Sequence, residues 1–105
     1  MVKLIESEGE WAALMEQSKE KLVVVDFTAS WCGPCQMVAP HFEAMSNEFS
    51  NAIFVKVDVD AQDKIAQMCG IRAMPTFQFY KDGNKVDELM GANIGALKQK
   101  VAALA

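Results

Sequence analysis

Two of the chain's three cysteines, Cys32 and Cys35, are separated by only two residues, so their sulfur atoms can act as a pair. The attacking group in thiol–disulfide exchange is the thiolate, and an active cysteine therefore needs a pKa below that of a free thiol. A helix N-terminus provides this shift, because its unpaired N–H groups and the helix macrodipole favour negative charge. We predict that a helix begins at Cys32 and that Cys35 follows about one turn later. The pair is then a redox centre in which Cys32 attacks and Cys35 resolves the mixed disulfide.

The same cysteines also fit half of a zinc site, because a C-x-x-C knuckle supplies two of the four ligands of structural zinc. Cys69 and His41 would complete the set. Structural zinc usually uses two such knuckles, whereas these two residues are isolated in the sequence. The redox centre is therefore the favoured interpretation, and we expect neither a metal nor an organic cofactor.

The elements around the pair follow from hydrophobic periodicity and capping residues. Predicted strands cover residues 2–5, 22–28, 53–59, 76–80 and 85–90, and helices begin near Ser7, Cys32, Gln62 and Asn93. Pro40 lies inside the second helix and predicts a kink there. A turn at residues 82–84 makes a hairpin of the last two strands. With right-handed crossovers, the order βαβαβαββα predicts an α/β fold with a central five-stranded mixed sheet and four flanking helices.

Composition limits the range of functions. The 105 residues are 51% hydrophobic, which suits a single domain over residues 1–105 with its own core. The net charge is −4 and there is no run of Lys or Arg, so nucleic-acid binding is not expected. Apolar runs such as 22–25 are too short to cross a bilayer, and residues 1–6 resemble neither a secretory nor a transit peptide. We expect a cytoplasmic protein without membrane contacts.

The segment Trp31-Cys32-Gly33-Pro34-Cys35 resembles the active-site motif of the thioredoxin family. The resemblance extends over the whole chain, through residues 25–27, Pro40, 57–60, 74–77 and 91–92. It implies a thioredoxin fold and a protein-disulfide reductase that acts on disulfide-containing client proteins. It further implies re-reduction by a thioredoxin reductase that uses flavin and NADPH, and a protein that is mainly a monomer.

Asp26 is an acidic residue within the most apolar stretch of the sequence. It either faces water at the end of its strand or is buried, and burial would raise its pKa. The family resemblance favours burial and a role as proton acceptor for Cys35. Lys56, on a strand expected to lie beside that of Asp26, either modulates this carboxyl group or is an ordinary solvated lysine.

Pro75 precedes a predicted strand, and most X-Pro bonds are trans. The family implies a cis bond here, beside the two thiols, which leaves the backbone N–H and C=O of Met74 free to pair with an extended segment. We further expect a flat apolar surface around Cys32, termed the client surface, which suits the recognition of flexible protein segments. It consists of Trp31, Gly33, Pro34, Ala73, Met74, Pro75, Gly91 and Ala92.

The remaining thiol, Cys69, lies near the end of the third helix and is either a small buried side chain or a regulatory thiol. Some animal-type thioredoxins carry a cysteine at the matching position, which suggests regulatory oxidation or a disulfide-linked dimer. His41 is expected to face solvent. Trp11 and most of the seven methionines are interpreted as core packing.

Two other functions compete with the reductase. One is a disulfide oxidase or isomerase on the same fold, in which the residues between the cysteines are usually Gly-His rather than Gly33-Pro34. The other is a binding module whose redox state acts only as a switch. Nothing in the sequence excludes this second activity.

Overall fold

The computed structural model describes all 105 residues, which form five strands and four helices in the predicted order. The strands are β1 (Lys3–Leu4), β2 (Val23–Thr28), β3 (Ile53–Asp58), β4 (Thr76–Lys81) and β5 (Asn84–Met90). The helices are α1 (Glu8–Gln17), α2 (Gly33–Glu48), α3 (Asp63–Met68) and α4 (Ile94–Leu104). None of these helices is long and apolar enough to cross a membrane. The α/β architecture predicted from the sequence is confirmed.

All five strands belong to one sheet with the order β1-β3-β2-β4-β5. β1, β3 and β2 are parallel, whereas β4 is antiparallel to β2 and β5 is antiparallel to β4. β2 is the central strand, and its residues from Val23 to Phe27 are all buried. This explains its unbroken apolar sequence, because a strand covered on both sides has no solvent face to mark with polar residues.

The helices cover the sheet from both sides, and alternate residues of β2 point to opposite layers. Val24 packs with Phe42 of α2 and Leu97 of α4, whereas Phe27 packs with Trp11 of α1 and Ile65 of α3. Asp26 has the same parity as Val24 and therefore lies under α2. The placement of Trp11 in the core is confirmed.

Capping residues fix where the helices begin. Ser7 accepts a hydrogen bond from the N–H of Glu10 at 3.1 Å, and Asn93 accepts one from Ala96 at 3.0 Å, as the sequence predicts for N-caps. α2 begins with Cys32 as its N-cap and Pro34 in its first turn. It continues through Pro40 as one helix to Glu48.

The hairpin between β4 and β5 is tighter than predicted. Its turn consists of Asp82 and Gly83 alone, with φ of 53° and 76°, and Asn84 already belongs to β5. Two successive residues of positive φ match the twist of the flanking strands, which is why a two-residue turn suffices. Ser18, at the end of α1, holds this turn: its carbonyl and hydroxyl oxygens accept hydrogen bonds from the N–H groups of Asp82 and Gly83, each at 2.8 Å.

Replacing Ser18 with alanine should destabilise the protein, because the N–H of Gly83 loses its acceptor inside the fold. We expect a loss of about 1 kcal/mol in the free energy of unfolding, measured by urea denaturation. Ser50→Ala, at an exposed serine, is the control and should leave the midpoint unchanged. Equal midpoints for the two variants would show that the hairpin does not depend on this contact.

Candidate active site

Cys32 and Cys35 form a disulfide at the start of α2, with their Cα atoms 5.3 Å apart. Cys32 is the N-cap and Cys35 lies in the first helical turn, so the helix itself sets the separation of the two sulfur atoms. Cys32 is 6% exposed and Cys35 only 1%. The first of the two sulfurs is therefore the one that a second protein can approach.

The start of α2 favours negative charge on the Cys32 sulfur. The Sγ atom already accepts a hydrogen bond from the backbone N–H of Cys35 at 3.2 Å. The first turn contains no acidic residue that would compete for the positive end of the helix dipole. These are the features that the sequence predicts for an attacking thiolate.

Asp26 is buried, with 3% of its surface exposed. Its Oδ1 atom has no hydrogen-bond partner within the chain. Burial, which disfavours the charged form, raises the pKa of this carboxyl group to about 7, and the charge of Lys56 partly opposes the shift. Such a group can both accept and release a proton near neutral pH.

Two strands flank Asp26 in the sheet. Lys56 of β3 is its partner on one side and Phe77 of β4 on the other. Lys56 is exposed, and it acts on Asp26 only through space, since the ion pairs of the structure do not include these two residues. The neighbouring position that the sequence predicts for Lys56 is confirmed.

The loop before β4 brings free backbone groups to the cysteines. The Met74–Pro75 peptide bond is cis, as the family resemblance implies. Met74 packs against Cys32 and Cys35, while its own N–H and C=O make no hydrogen bond within the chain. Gly91, at a φ of 94°, donates its N–H to the carbonyl of Pro75 at 2.9 Å and so holds the start of the last loop against this one.

The predicted client surface differs in exposure from residue to residue. Trp31 is 67% exposed, and Gly33, Pro34 and Ala73 are also exposed. Met74, Gly91 and Ala92 are half-buried, and Pro75 is buried. The surface is therefore largest around Trp31 and the start of α2.

The assignment of most methionines to core packing is wrong. Met37 and Met90 are 57% and 59% exposed, and Met68 and the N-terminal methionine are exposed as well. Met37 lies one helical turn after Pro34, and Met90 precedes Gly91, so both extend the apolar area beside the client surface. Their placement at residues 37 and 90 was the available signal, because neither falls on the buried face of its element.

Sequence reasoning also missed a contact of Trp31. Its indole Nε1 donates a hydrogen bond to Oδ2 of Asp60 at 2.8 Å. The loop of Asp60 is ordered in turn by Asp58, whose Oδ1 accepts hydrogen bonds from the N–H groups of Asp60 and Ala61 at 2.9 and 3.2 Å. The motif 57–60 had marked these aspartates only through resemblance, because the pairing joins residues that are 29 positions apart.

The ligands of the zinc alternative do not converge, since no three His, Cys, Asp or Glu side chains of the structure are grouped as a metal site would require. His41 is exposed, as predicted. Cys69 is half-buried and the hydroxyl group of Tyr80 donates to its Sγ at 3.7 Å. Burial raises the pKa of the Cys69 thiol, which favours the packing interpretation over a reactive one.

Comparison with known proteins places this geometry in a family. The family model described as "Thioredoxin" matches residues 2–103. A thioredoxin from Equus caballus is 48% identical over 104 residues, which cover 99% of both chains. A solved structure of Plasmodium falciparum thioredoxin is 43% identical, superposes with a TM-score of 0.93 and covers 99% of this chain and 100% of its own.

A third similar structure comes from a study of the thiol resolving mechanism in yeast mitochondrial 1-Cys peroxiredoxin via glutathione/thioredoxin systems. It is 36% identical, has a TM-score of 0.91, and covers 98% of this chain and 95% of its own. With such neighbours the predicted thioredoxin fold is confirmed.

Removing the Asp26 carboxyl group should stabilise the protein at high pH and have little effect at low pH. The native carboxyl group has a pKa of about 7 against 3.8 for the ordinary group, so the folded state loses stability as the pH rises from about 4 to 7. At about 1.4 kcal/mol per pKa unit, Asp26→Ala should regain as much as about 4 kcal/mol at pH 8. Urea unfolding at pH 4 and pH 8 measures this difference.

Glu20→Ala, at an exposed carboxylate, is the matched control and should change stability little at either pH. A gain for Asp26→Ala that is the same at both pH values would contradict a raised pKa at this position.

Proposed function

The chain belongs to the thioredoxin family, and we propose that Cys32, Cys35 and Asp26 divide between them the steps of its reaction. The protein is a thiol–disulfide oxidoreductase that reduces disulfides in other proteins by dithiol–disulfide exchange through the Cys32–Cys35 pair. The observation that carries the assignment of roles is the position of this disulfide at the start of α2, with one sulfur at the surface and the other behind it.

In the first step the Cys32 thiolate attacks one sulfur of a client disulfide. A Cys32–client disulfide forms, the client's own S–S bond breaks, and the second client sulfur leaves as a thiolate. The start of α2 supports this step because the helix dipole and the N–H of Cys35 stabilise the charge that Cys32 carries.

In the second step Cys35 resolves the mixed disulfide. The ionised carboxyl group of Asp26 accepts the thiol proton of Cys35, and the Cys35 thiolate attacks Sγ of Cys32. The Cys32–Cys35 bond forms, the Cys32–client bond breaks, and the remaining client sulfur leaves as a thiolate. Two electrons have passed from the dithiol to the client, whose thiolates take up protons from solvent.

Client proteins bind, in this proposal, as extended segments across the client surface. The free N–H and C=O of Met74 pair with the client backbone, and the positive φ of Gly91 keeps that backbone close. Gly33 and Pro34 fix the short loop between the cysteines. A peroxiredoxin is a plausible client class, given the yeast neighbour, because its reaction leaves oxidised cysteine to be reduced.

The oxidised protein must regain two electrons after each cycle. We assign this step to a thioredoxin reductase, with its flavin and NADPH, and no resident cofactor to this chain. A cytoplasmic location fits this assignment, because a reductant with a further free thiol, Cys69, works where thiols are kept reduced. The working form is a monomer, and oxidation of Cys69 would give a disulfide-linked dimer.

Replacing either cysteine by serine should separate the two steps. Cys32→Ser should abolish the reduction of insulin in the presence of dithiothreitol, because no attacking thiolate remains. Cys35→Ser should accumulate a covalent complex with insulin, visible on non-reducing gels and by mass analysis. Cys69→Ser is the control and should keep activity; full activity in Cys32→Ser would end the proposal.

Trp31→Ala should weaken the binding of protein clients more than the chemistry. Loss of this exposed indole removes apolar contact area worth more than 1 kcal/mol, so KM for a protein client should rise about 10-fold or more while kcat changes little. Met68→Ala removes a side chain of similar exposure outside the client surface and should leave KM unchanged. A small disulfide such as cystine should show little difference among the three proteins.

A further inference from the structure

A polar cavity of about 230 Å³ opens beside Asp26, under the first turn of α2. Its walls come from β2, β3, α2 and the loop that follows β2. The residues that matter for its chemistry are Asp26, Thr28, Ala29, Gln36, Lys56 and Asp58. The cavity is therefore a passage between the interior of the α2 layer and the surface near Lys56.

The carboxyl group of Asp26 needs a partner that only this cavity can provide. Its Oδ1 atom is buried and makes no hydrogen bond with the protein. Buried polar atoms in proteins are almost always hydrogen-bonded, to water where no protein group serves. A polar cavity of this volume is large enough for several water molecules, each of which needs two to four polar partners.

The opening of the cavity is separate from the client surface. None of the cavity's lining residues belongs to the client surface. On the β4 side Asp26 is closed off by Phe77, which is fully buried, whereas on the β3 side it faces the exposed Lys56. A client docked over Cys32 covers the first side of the molecule and leaves the second open to solvent.

Gln36 joins the cavity to the redox centre. Its Nε2 donates a hydrogen bond to the carbonyl of Ala29 at 3.0 Å. Ala29 lines the cavity and also packs against Cys32 and Cys35. The Gln36 amide thus fixes the one residue that separates the disulfide from the cavity, and it does so from the residue next to Cys35.

We propose that this cavity is the route by which Asp26 exchanges protons with solvent while a client covers Cys32, and that Gln36 is the positioning residue that keeps the route open. The inference rests on the proposed role of Asp26 as proton acceptor. After Asp26 takes the proton of the Cys35 thiol, water in the cavity accepts it from the carboxyl group and passes it to bulk solvent. Asp26 returns to the carboxylate form without release of the client.

The charged groups that face Asp26 fit this direction of transfer. β3 contributes Lys56 and Asp58, which line the cavity, and β4 contributes only Phe77. The residues of α2 at this point are Cys35 and the neutral Gln36. The polar end of the passage is therefore the solvent end, where a proton leaves.

Chemical rescue tests the route. Asp26→Ala removes the acceptor and widens the cavity, so resolution of a preformed Cys32–insulin disulfide should slow at least about 10-fold in single-turnover measurements. Imidazole, a small base, should restore the rate in proportion to its concentration by entering the cavity. 2,4,6-Trimethylpyridine, a base of similar strength but larger size, should restore little.

The cavity variant carries the decision. In Asp26→Ala/Gln36→Leu an apolar side chain replaces the amide, and rescue by imidazole should fall several-fold. Asp26→Ala/Gln67→Leu, with the same exchange on the exposed face of α3, should be rescued as Asp26→Ala is. Cooperative urea unfolding of both double variants establishes that they fold.

A direct titration provides a second readout. In oxidised Gln36→Leu, exclusion of water should raise the pKa of Asp26 above that of the parent protein, as measured by carbon NMR of the carboxyl group. A purely structural role of Gln36 would leave this pKa in place. An unchanged pKa therefore overturns the positioning role.

The outcomes separate the two levels of the argument. If Asp26→Ala resolves as fast as the parent, the proposed role of Asp26 fails and the route fails with it. If Asp26→Ala is slow but imidazole does not help, or helps equally with Leu at position 36, the route is overturned while the role of Asp26 stands.

Discussion

The structure of the site depends on where α2 begins. The chain leaves β2 at Thr28 and enters the helix at Cys32, so the first turn of α2 stands directly at the carboxyl end of the central strand. This one constraint places Cys32 over the unpaired N–H groups, brings Cys35 one turn behind it, and sets α2 above the buried Asp26. The loop of Met74 then closes the site from the β4 side, because β4 pairs with the same central strand.

Asp26 shows how stability and activity oppose each other in this fold. It occupies a position in β2 whose neighbours are all apolar and buried, and a hydrophobic residue would suit the core better. The raised pKa has the same cause as the loss of stability, since both come from removing a carboxylate from water. The polar cavity at Asp26 is a local interruption of the packing that keeps this charge within reach of solvent.

The sequence was sufficient for the fold and for the centre of the site, because both are written in local patterns. The unbroken apolar run of β2, the capping residues Ser7 and Asn93, and the spacing of the cysteines each have a physical reading that needs no distant partner. The parts that were missed depend on distant pairs. The contact of Trp31 with Asp60 and the hydrogen bonds from the hairpin turn to Ser18 join segments separated by dozens of residues. The exposure of Met37 and the existence of the cavity beside Asp26 likewise depend on how α2 sits on the sheet.

The outer strands of the sheet have a consequence for a protein that must hold extended segments of others. β1 has only two residues, and β5 is interrupted where its pairing with β4 shifts at Tyr80, which leaves Val86 without a partner opposite it. Lys85, Asp87 and Glu88 place charge along the same strand. Short, bulged and charged edges discourage further strands from adding to a sheet. An unfolded polypeptide that meets this molecule can thus be held at Met74 without nucleating a growing β-aggregate on the sheet's margins, so that aggregation is avoided by the shape of two strands remote from the thiols.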